Sequence, residues 1–191
     1  MKNYVLVFLL LSSCLITAQK YSNTSQDEVS KEWNGNTFSS KKSFFENIKG
    51  IQNLSFLIEA LQNEDFRNKL ESEEMITIFA PLDQSFLKLP KKTSDSIVNY
   101  SNGDLLKSIV KYHIVPGRID YHSLLKSIKV NNGIAYFSTI EGEKLGIKEI
   151  NGELLLFDSK NNTSIIKAYD FYHKNGLFHF VEGIVFPVSE E

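Results

Sequence analysis

Apolar residues recur along this chain with two different periods, and the change between them divides the sequence. In the first part the period is helical. Leu54, Leu57, Ile58 and Leu61 fall at i, i+3, i+4 and i+7, a single apolar stripe, with Asn53 placed as the N-cap. Just ahead, Ser43-Phe44-Phe45-Glu46 has the S-x-x-E order of a capping box, so ordered structure is expected to begin near Ser43. A short helix is predicted around 65–70, followed by a buried strand over the apolar run from Met75 to Ala80, which Pro81 ends. Asp83 is placed to cap a turn or helix that carries Phe86 and Leu87 inward. Ser94-Asp95-Ser96 predicts another short helix. Asp104 caps a further one, whose Leu105, Leu106, Ile109, Val110 and His113 share a side until Pro116-Gly117 stops it, and Asp120 is the N-cap expected for the next. From Val130 onward the period becomes two. Asn131-Asn132-Gly133, Glu141-Gly142 and Asn151-Gly152 are turn signals between strands at 134–140, 144–150, 153–158 and 164–168, and Asn175-Gly176 introduces a last strand at 177–186. Helices first and mostly antiparallel strands later predict an α+β domain, and no internal repeat indicates a second copy.

The ends read differently. Lys2 precedes an apolar stretch from Tyr4 to Leu11 and small residues by Ala18, the layout of a secretory leader cleaved after Ala18. That stretch is shorter than the roughly 20 apolar residues that cross a bilayer. Leu11-Ser12-Ser13-Cys14 also has the form of a lipobox, and a lipid anchor on Cys14 stands as the alternative. Either route exports the chain. Residues 19–42 are polar, with only Val29, Trp33 and Phe38 as scattered apolar positions, and are expected to be a tether on which Trp33 can dock. The domain then occupies residues 43–188, leaving a short tail at 189–191.

Cys14 is the only cysteine, so a chain processed after Ala18 has no disulfide and depends on its buried core. The 21 basic residues are slightly outnumbered by 23 acidic ones, which argues against nucleic acid as a partner. No second apolar run is long enough for a membrane helix.

Three segments then come together. They are Thr77-Ile78-Phe79-Ala80-Pro81-Leu82-Asp83-Gln84-Ser85-Phe86, Tyr112-His113-Ile114-Val115-Pro116-Gly117, and the stretch from Asn175 to Pro187 that contains Leu177-Phe178-His179-Phe180-Val181. Their order and gaps resemble the two boxes and the central Tyr-His motif of the fasciclin-like domain family, over about Ser43 to Pro187. The resemblance implies a wedge of β-strands with several helices packed along one side, and an extracellular adhesion module that is not an enzyme and needs no cofactor. It singles out Asp83, Tyr112, His113 and His179 as an interaction or structural motif. In animal members the Tyr-His element is credited with integrin binding. Here His113 falls on an apolar helix side, which favours a structural role with Asp83 as its hydrogen-bond partner. His179 shares a strand face with Leu177 and Val181, while Phe178 and Phe180 take the other. Phe171 stands where animal members carry the Ile of an Asp-Ile adhesion motif, against integrin-type recognition.

Catalytic and metal signatures are missing. Gly-x-Ser-x-Gly, a phosphate loop and H-E-x-x-H do not occur, and His113, His122, His173 and His179 lack zinc-site spacing. Glu71, Glu73 and Glu74 read as a solvated charge run. Sequons at Asn23, Asn53, Asn99, Asn161 and Asn162 follow from an Asn-rich composition that, with the short leader, points to a bacterial source. The expected partner is a surface polysaccharide, a matrix protein or a cell-surface protein, met by exposed aromatics such as Tyr121, Tyr136, Tyr169 and Tyr172. The alternative is a periplasmic or surface binder of a small apolar ligand, which needs a cavity in the wedge.

Overall fold

The computed structural model describes residues 27–99 and 104–188. The expected leader, Cys14, the start of the polar arm, Asn23 and the tail at 189–191 lie outside the described residues.

The helical part begins where its capping signals lie. Ser43 caps α1 (Phe44–Ile48): its hydroxyl accepts from Glu46 N at 3.2 Å, and the Glu46 carboxylate accepts from Ser43 N at 2.8 Å. A 3-10 turn at Gln52–Leu54 leads into α2 (Ser55–Leu61), then α3 (Glu64–Ser72), capped by Asn63. After β3 (Ile76–Pro81) come α4 (Asp83–Leu87), α5 (Lys91–Asn99), α6 (Asp104–Tyr112), β4 (Ile114–Pro116) and α7 (Tyr121–Val130), the last capped by Asp120 as predicted. The strands β5 (Ile134–Ser138), β6 (Lys144–Ile150), β7 (Glu153–Phe157), β8 (Thr163–His173) and β9 (Gly176–Glu182) follow. Helices before strands, as the periods indicate, make an α+β domain.

Seven strands form one sheet in the order β4-β3-β9-β8-β7-β6-β5. β3 runs parallel to β9 and antiparallel to β4, and all six of its residues are buried. A strand covered on both faces has no use for polar alternation, which is why Ile76 to Pro81 reads as an unbroken apolar run apart from Thr77. Ile140 N donates to Ile114 O at 2.9 Å, drawing the β5 end of the sheet back towards β4 and nearly closing it into a barrel.

Two apolar clusters lie on opposite faces. One packs Phe178 and Phe180 of β9 against α1, α2, α4 and α6; the other gathers Phe79, Tyr112, Leu124, Ile147, Leu156 and Val181 under α7. His179 faces the second cluster, stacked on Phe79 with ring centroids 5.2 Å apart, as its alternation with Phe178 and Phe180 requires. Beyond β9, a side chain on Gly183 would collide with the Thr163 carbonyl, so the backbones approach closely there.

The sequence reading needs correction in several places. The polar stretch 19–42, expected as a tether, is over its described part a hairpin of β1 (Ser30–Trp33) and β2 (Asn36–Ser39). It turns on Asn34-Gly35, both at positive φ. Trp33 stacks on Phe180 at 4.2 Å, Phe38 is buried among Phe171, Phe178 and Phe180, and Asn47 bonds both Ser39 N and Ser39 O. Two apolar side chains suffice because they enter an aromatic cluster built by distant β8 and β9, while Val29 stays exposed. The structure also begins α5 at Lys91, directly after Pro90, and extends β8 to His173. β9 ends at Glu182, short of the predicted 186.

Candidate functional site

The four residues singled out by the Tyr-His and box motifs do not form one site. Asp83 opens α4, and its carboxylate lies at the start of α2. Oδ2 accepts from Ser55 N at 2.9 Å and from Ser55 Oγ at 2.7 Å, and Oδ1 accepts from Phe56 N at 3.2 Å. It therefore caps a helix from 28 residues away. Both the cap assigned to Asn53 and the pairing of Asp83 with His113 are corrected by this geometry. The first amides of α2 have no partner of their own, and a carboxylate there satisfies them and meets the positive end of the helix.

His113 sits where α6 passes into β4, fully buried. Its Nδ1 donates to Ile109 O at 2.8 Å, its own carbonyl accepts from Phe79 N at 2.9 Å, and Nε2 has no partner. Burial pushes its pKa down to about 4, against the weaker opposing pull of the Ile109 carbonyl and Asp158. Tyr112 is buried on the other core, where its hydroxyl donates to Lys144 O at 2.9 Å; burial raises its pKa to about 12. His179 Nε2 donates to Ile119 O at 2.8 Å, and burial lowers its pKa. His173 follows the same pattern: Nδ1 donates to Asn175 Oδ1 at 3.0 Å, Nε2 is unpartnered, and burial takes its pKa down to about 4. These are neutral rings, each held in one tautomer, and Tyr112 and His113 tie α6 to β3 and β6. They shape the domain from inside and offer no group to solvent.

Asp170 and Phe171, at the place of the animal adhesion motif, are also occupied. Phe171 is buried against Phe38 and Phe180. Asp170, at φ 59°, accepts from Tyr121 N at 2.9 Å. Among the described residues, no cluster of three or more His, Cys, Asp or Glu side chains is placed to hold a metal ion. No helix among them is long and apolar enough to cross a membrane.

What the surface presents is aromatic and polar. Tyr169 stacks on Tyr121 at 4.1 Å with Lys31 beside it, and Arg118 covers Tyr172 at 4.7 Å. Tyr136 on β5 stands in solvent at 58 % exposure. Two clefts of about 700 Å³ flank the turn before β6. One runs between α6 and the segment after β9, with Leu105 and Phe186 among Ser108, Glu141 and Lys160. The other lies against Tyr136 and Phe157, with Glu143, Lys144, Ser159 and Asn161. Of this surface, the sequence supplied the four tyrosines. The strand predicted at 153–158 gives Phe157 no role of its own, although its alternation with Leu154 and Leu156 puts it on the outer face.

The fasciclin domain model matches residues 52–187, more than half of the chain. The chain belongs to the fasciclin domain family. It is 30% identical over 138 residues to protein sll1483 of the cyanobacterium Synechocystis, covering 72% of this chain and 69% of that one. It is 24% identical to human periostin over 78% of this chain, but that match spans only 16% of periostin. The solved pair of FAS1 domains from the insect cell adhesion molecule Fasciclin I superposes with a TM-score of 0.58 at 13% identity, over 86% of this chain and 67% of that one. That likeness carries the fold: a nearly closed sheet with several helices packed against it. The hairpin and α1 precede the matched region, yet they complete its aromatic core.

Proposed function

We propose that this fasciclin domain is an extracellular, non-catalytic adhesion module that contacts a surface polysaccharide, a matrix protein or another cell. One observation carries the reading. The histidines with shifted pKa are sealed in the core and spent on carbonyl and amide oxygens, whereas tyrosine rings stand on the outside. Reactive chemistry needs titratable groups with shifted pKa that converge on an accessible cavity, and weak contact needs rigid aromatic area at low entropic cost. The second arrangement is the one present. Export through a leader ending at Ala18, or a lipid anchor at Cys14, places the module where such contacts occur. Dense display on a surface raises a weak affinity through effective concentration.

The rival reading, a small apolar ligand, finds less support, because both clefts of about 700 Å³ are rimmed by Glu, Lys and Asn side chains. The test is retention of beads densely coated with residues 19–191 on glycans, matrix proteins and cells of the source organism. Selective retention that the soluble protein competes away supports adhesion and names the partner class. No retention at any coating density overturns it, and native mass spectrometry for a co-purified ligand then tests the rival.

A further inference from the structure

Among the described residues, the outer face of the β5–β6–β7 ribbon carries no helix, and its register builds a small platform. Tyr136 pairs with Gly146 and Gly146 with Phe157, so the three lie side by side on one face. A Cβ at position 146 would run into the Phe157 ring. The glycine thus lets Phe157 lie across β6 until it meets Tyr136 edge-to-face, with centroids 5.7 Å apart at 70°. Lys148 Nζ sits 4.8 Å from the Phe157 ring centre, leaving Tyr136 as the ring that offers an open face. Beside the platform lies the cleft of about 700 Å³, within the range of roughly 300–1,000 Å³ typical of small-ligand sites.

The polar rim decides what would fit. Asp158 is not available, since it accepts from Lys160 N, Asn162 N, Asn162 Nδ2 and Phe186 N at 2.8–2.9 Å. The carboxylates of Glu143 and Asp158 are offset by Lys144 in the rim and by Lys148 beside the platform. Among the described residues, the Ser159 hydroxyl and the Asn161 amide are exposed and hold no partner. A rim with balanced charges and free uncharged donors and acceptors matches a ligand rich in hydroxyls and without net charge. An exposed ring beside it matches the flat apolar face of a pyranose. A protein partner fits less well, because a stable interface takes about 800 Å² from each side, and here a single open ring adjoins a concave polar cleft.

We propose that this cleft binds a neutral polysaccharide, with Tyr136 stacking on a sugar ring and Ser159 and Asn161 bonding its hydroxyls. The proposal rests on the adhesion reading and assigns it a site and a ligand class. It is tested by electrophoresis of the full chain through native gels containing a soluble β-glucan, a xylan, a mannan or, as the charged comparison, polygalacturonate. Tyr136→Ala removes the platform at an exposed position, and Asn161→Gly removes the amide while suiting the φ of 63° there. Unchanged thermal midpoints confirm that both variants fold. The expected result is retardation by at least one neutral polysaccharide that persists in 0.5 M salt. Tyr136→Ala should weaken it at least about tenfold, and Asn161→Gly severalfold. Three results overturn the proposal: no retardation by any neutral polymer, retardation by polygalacturonate alone that salt abolishes, or equal retardation of Tyr136→Ala and the wild-type chain. Bead retention separates this failure from failure of the adhesion reading. Beads carrying Tyr136→Ala that still hold to cells, and lose that hold when the cells are treated with protease, leave adhesion standing and move it to another face and a protein partner.

Discussion

Lowering the pH from 7 to 5 should destabilise this domain through three buried histidines. His113, His173 and His179 each spend one ring N–H on an oxygen, and their second nitrogens, His113 Nε2, His173 Nε2 and His179 Nδ1, have no partner. A second proton would place a charge in an apolar interior with nothing to accept it, so burial lowers all three pKa values, to about 4 for His113 and His173. In the unfolded chain each titrates near 6.5. Below that pH the unfolded state therefore binds more protons than the native state. Stability is fully present above about 6.5 and is lost as pH falls towards the folded values. Between 6.5 and 5, His113 and His173 each cost about 2 kcal/mol, from 1.36 kcal/mol per pH unit. Together they cost about 4 kcal/mol, and His179 adds to that loss in the same direction, a large part of the stability of an ordinary domain, about 5–15 kcal/mol. Urea unfolding at pH 7.5, 6.0 and 5.0, followed by far-ultraviolet circular dichroism, measures it. A loss below about 2 kcal/mol between pH 7.5 and 5.0 refutes the reasoning, because the rings would then have to take up protons inside the fold.

Four further outcomes follow from the packing. His113→Ala should cost more than about 1 kcal/mol, through a void and the lost ring bond to Ile109 O, which keeps only the backbone amide of residue 113, and chemical denaturation reads it; an unchanged midpoint with lost binding would make the residue a contact instead. Asp83→Ala should cost about 1–2 kcal/mol by uncapping α2, and hydrogen exchange should quicken first at Ser55 and Phe56. Trp33→Ala should lower stability by about 2–3 kcal/mol, since it removes the ring stacked on Phe180; a chain starting at Ser43 should lose at least as much, whereas a tether could be removed without cost. Tyr112→Phe should cost about 1 kcal/mol for its bond to Lys144 O, read from the thermal midpoint.

Local signals carried well where the physics is local, with the Asn53 cap as the exception. The Ser43–Glu46 capping box, the Asp120 cap and the Asn-Gly turns involve groups three or four residues apart, and all lie where the sequence puts them. The uninterrupted apolar run of β3 and the alternation of His179 with Phe178 and Phe180 also survive intact, because burial on two faces leaves a direct mark on residue choice. The arm at 27–42 was misread for the opposite reason. Its own composition is polar, and what holds it is an aromatic cluster contributed by residues more than 130 positions later. Asn34-Gly35 was the one local sign that a hairpin formed there.

The sequence by itself determined the family, the order of helices and strands from Ser43 onward, and the apolar setting of His113 and His179, since each follows from spacing along the chain. Tertiary structure alone decided the partners. Asp83 lies 28 residues from the helix it caps, and Tyr112 lies 32 residues from the carbonyl it bonds. Tyr136, Gly146 and Phe157 become one surface only when two hairpin registers set them side by side. A capping carboxylate or an aromatic platform is defined by distance in space, and the registers and packing angles that fix such distances arise from the whole fold.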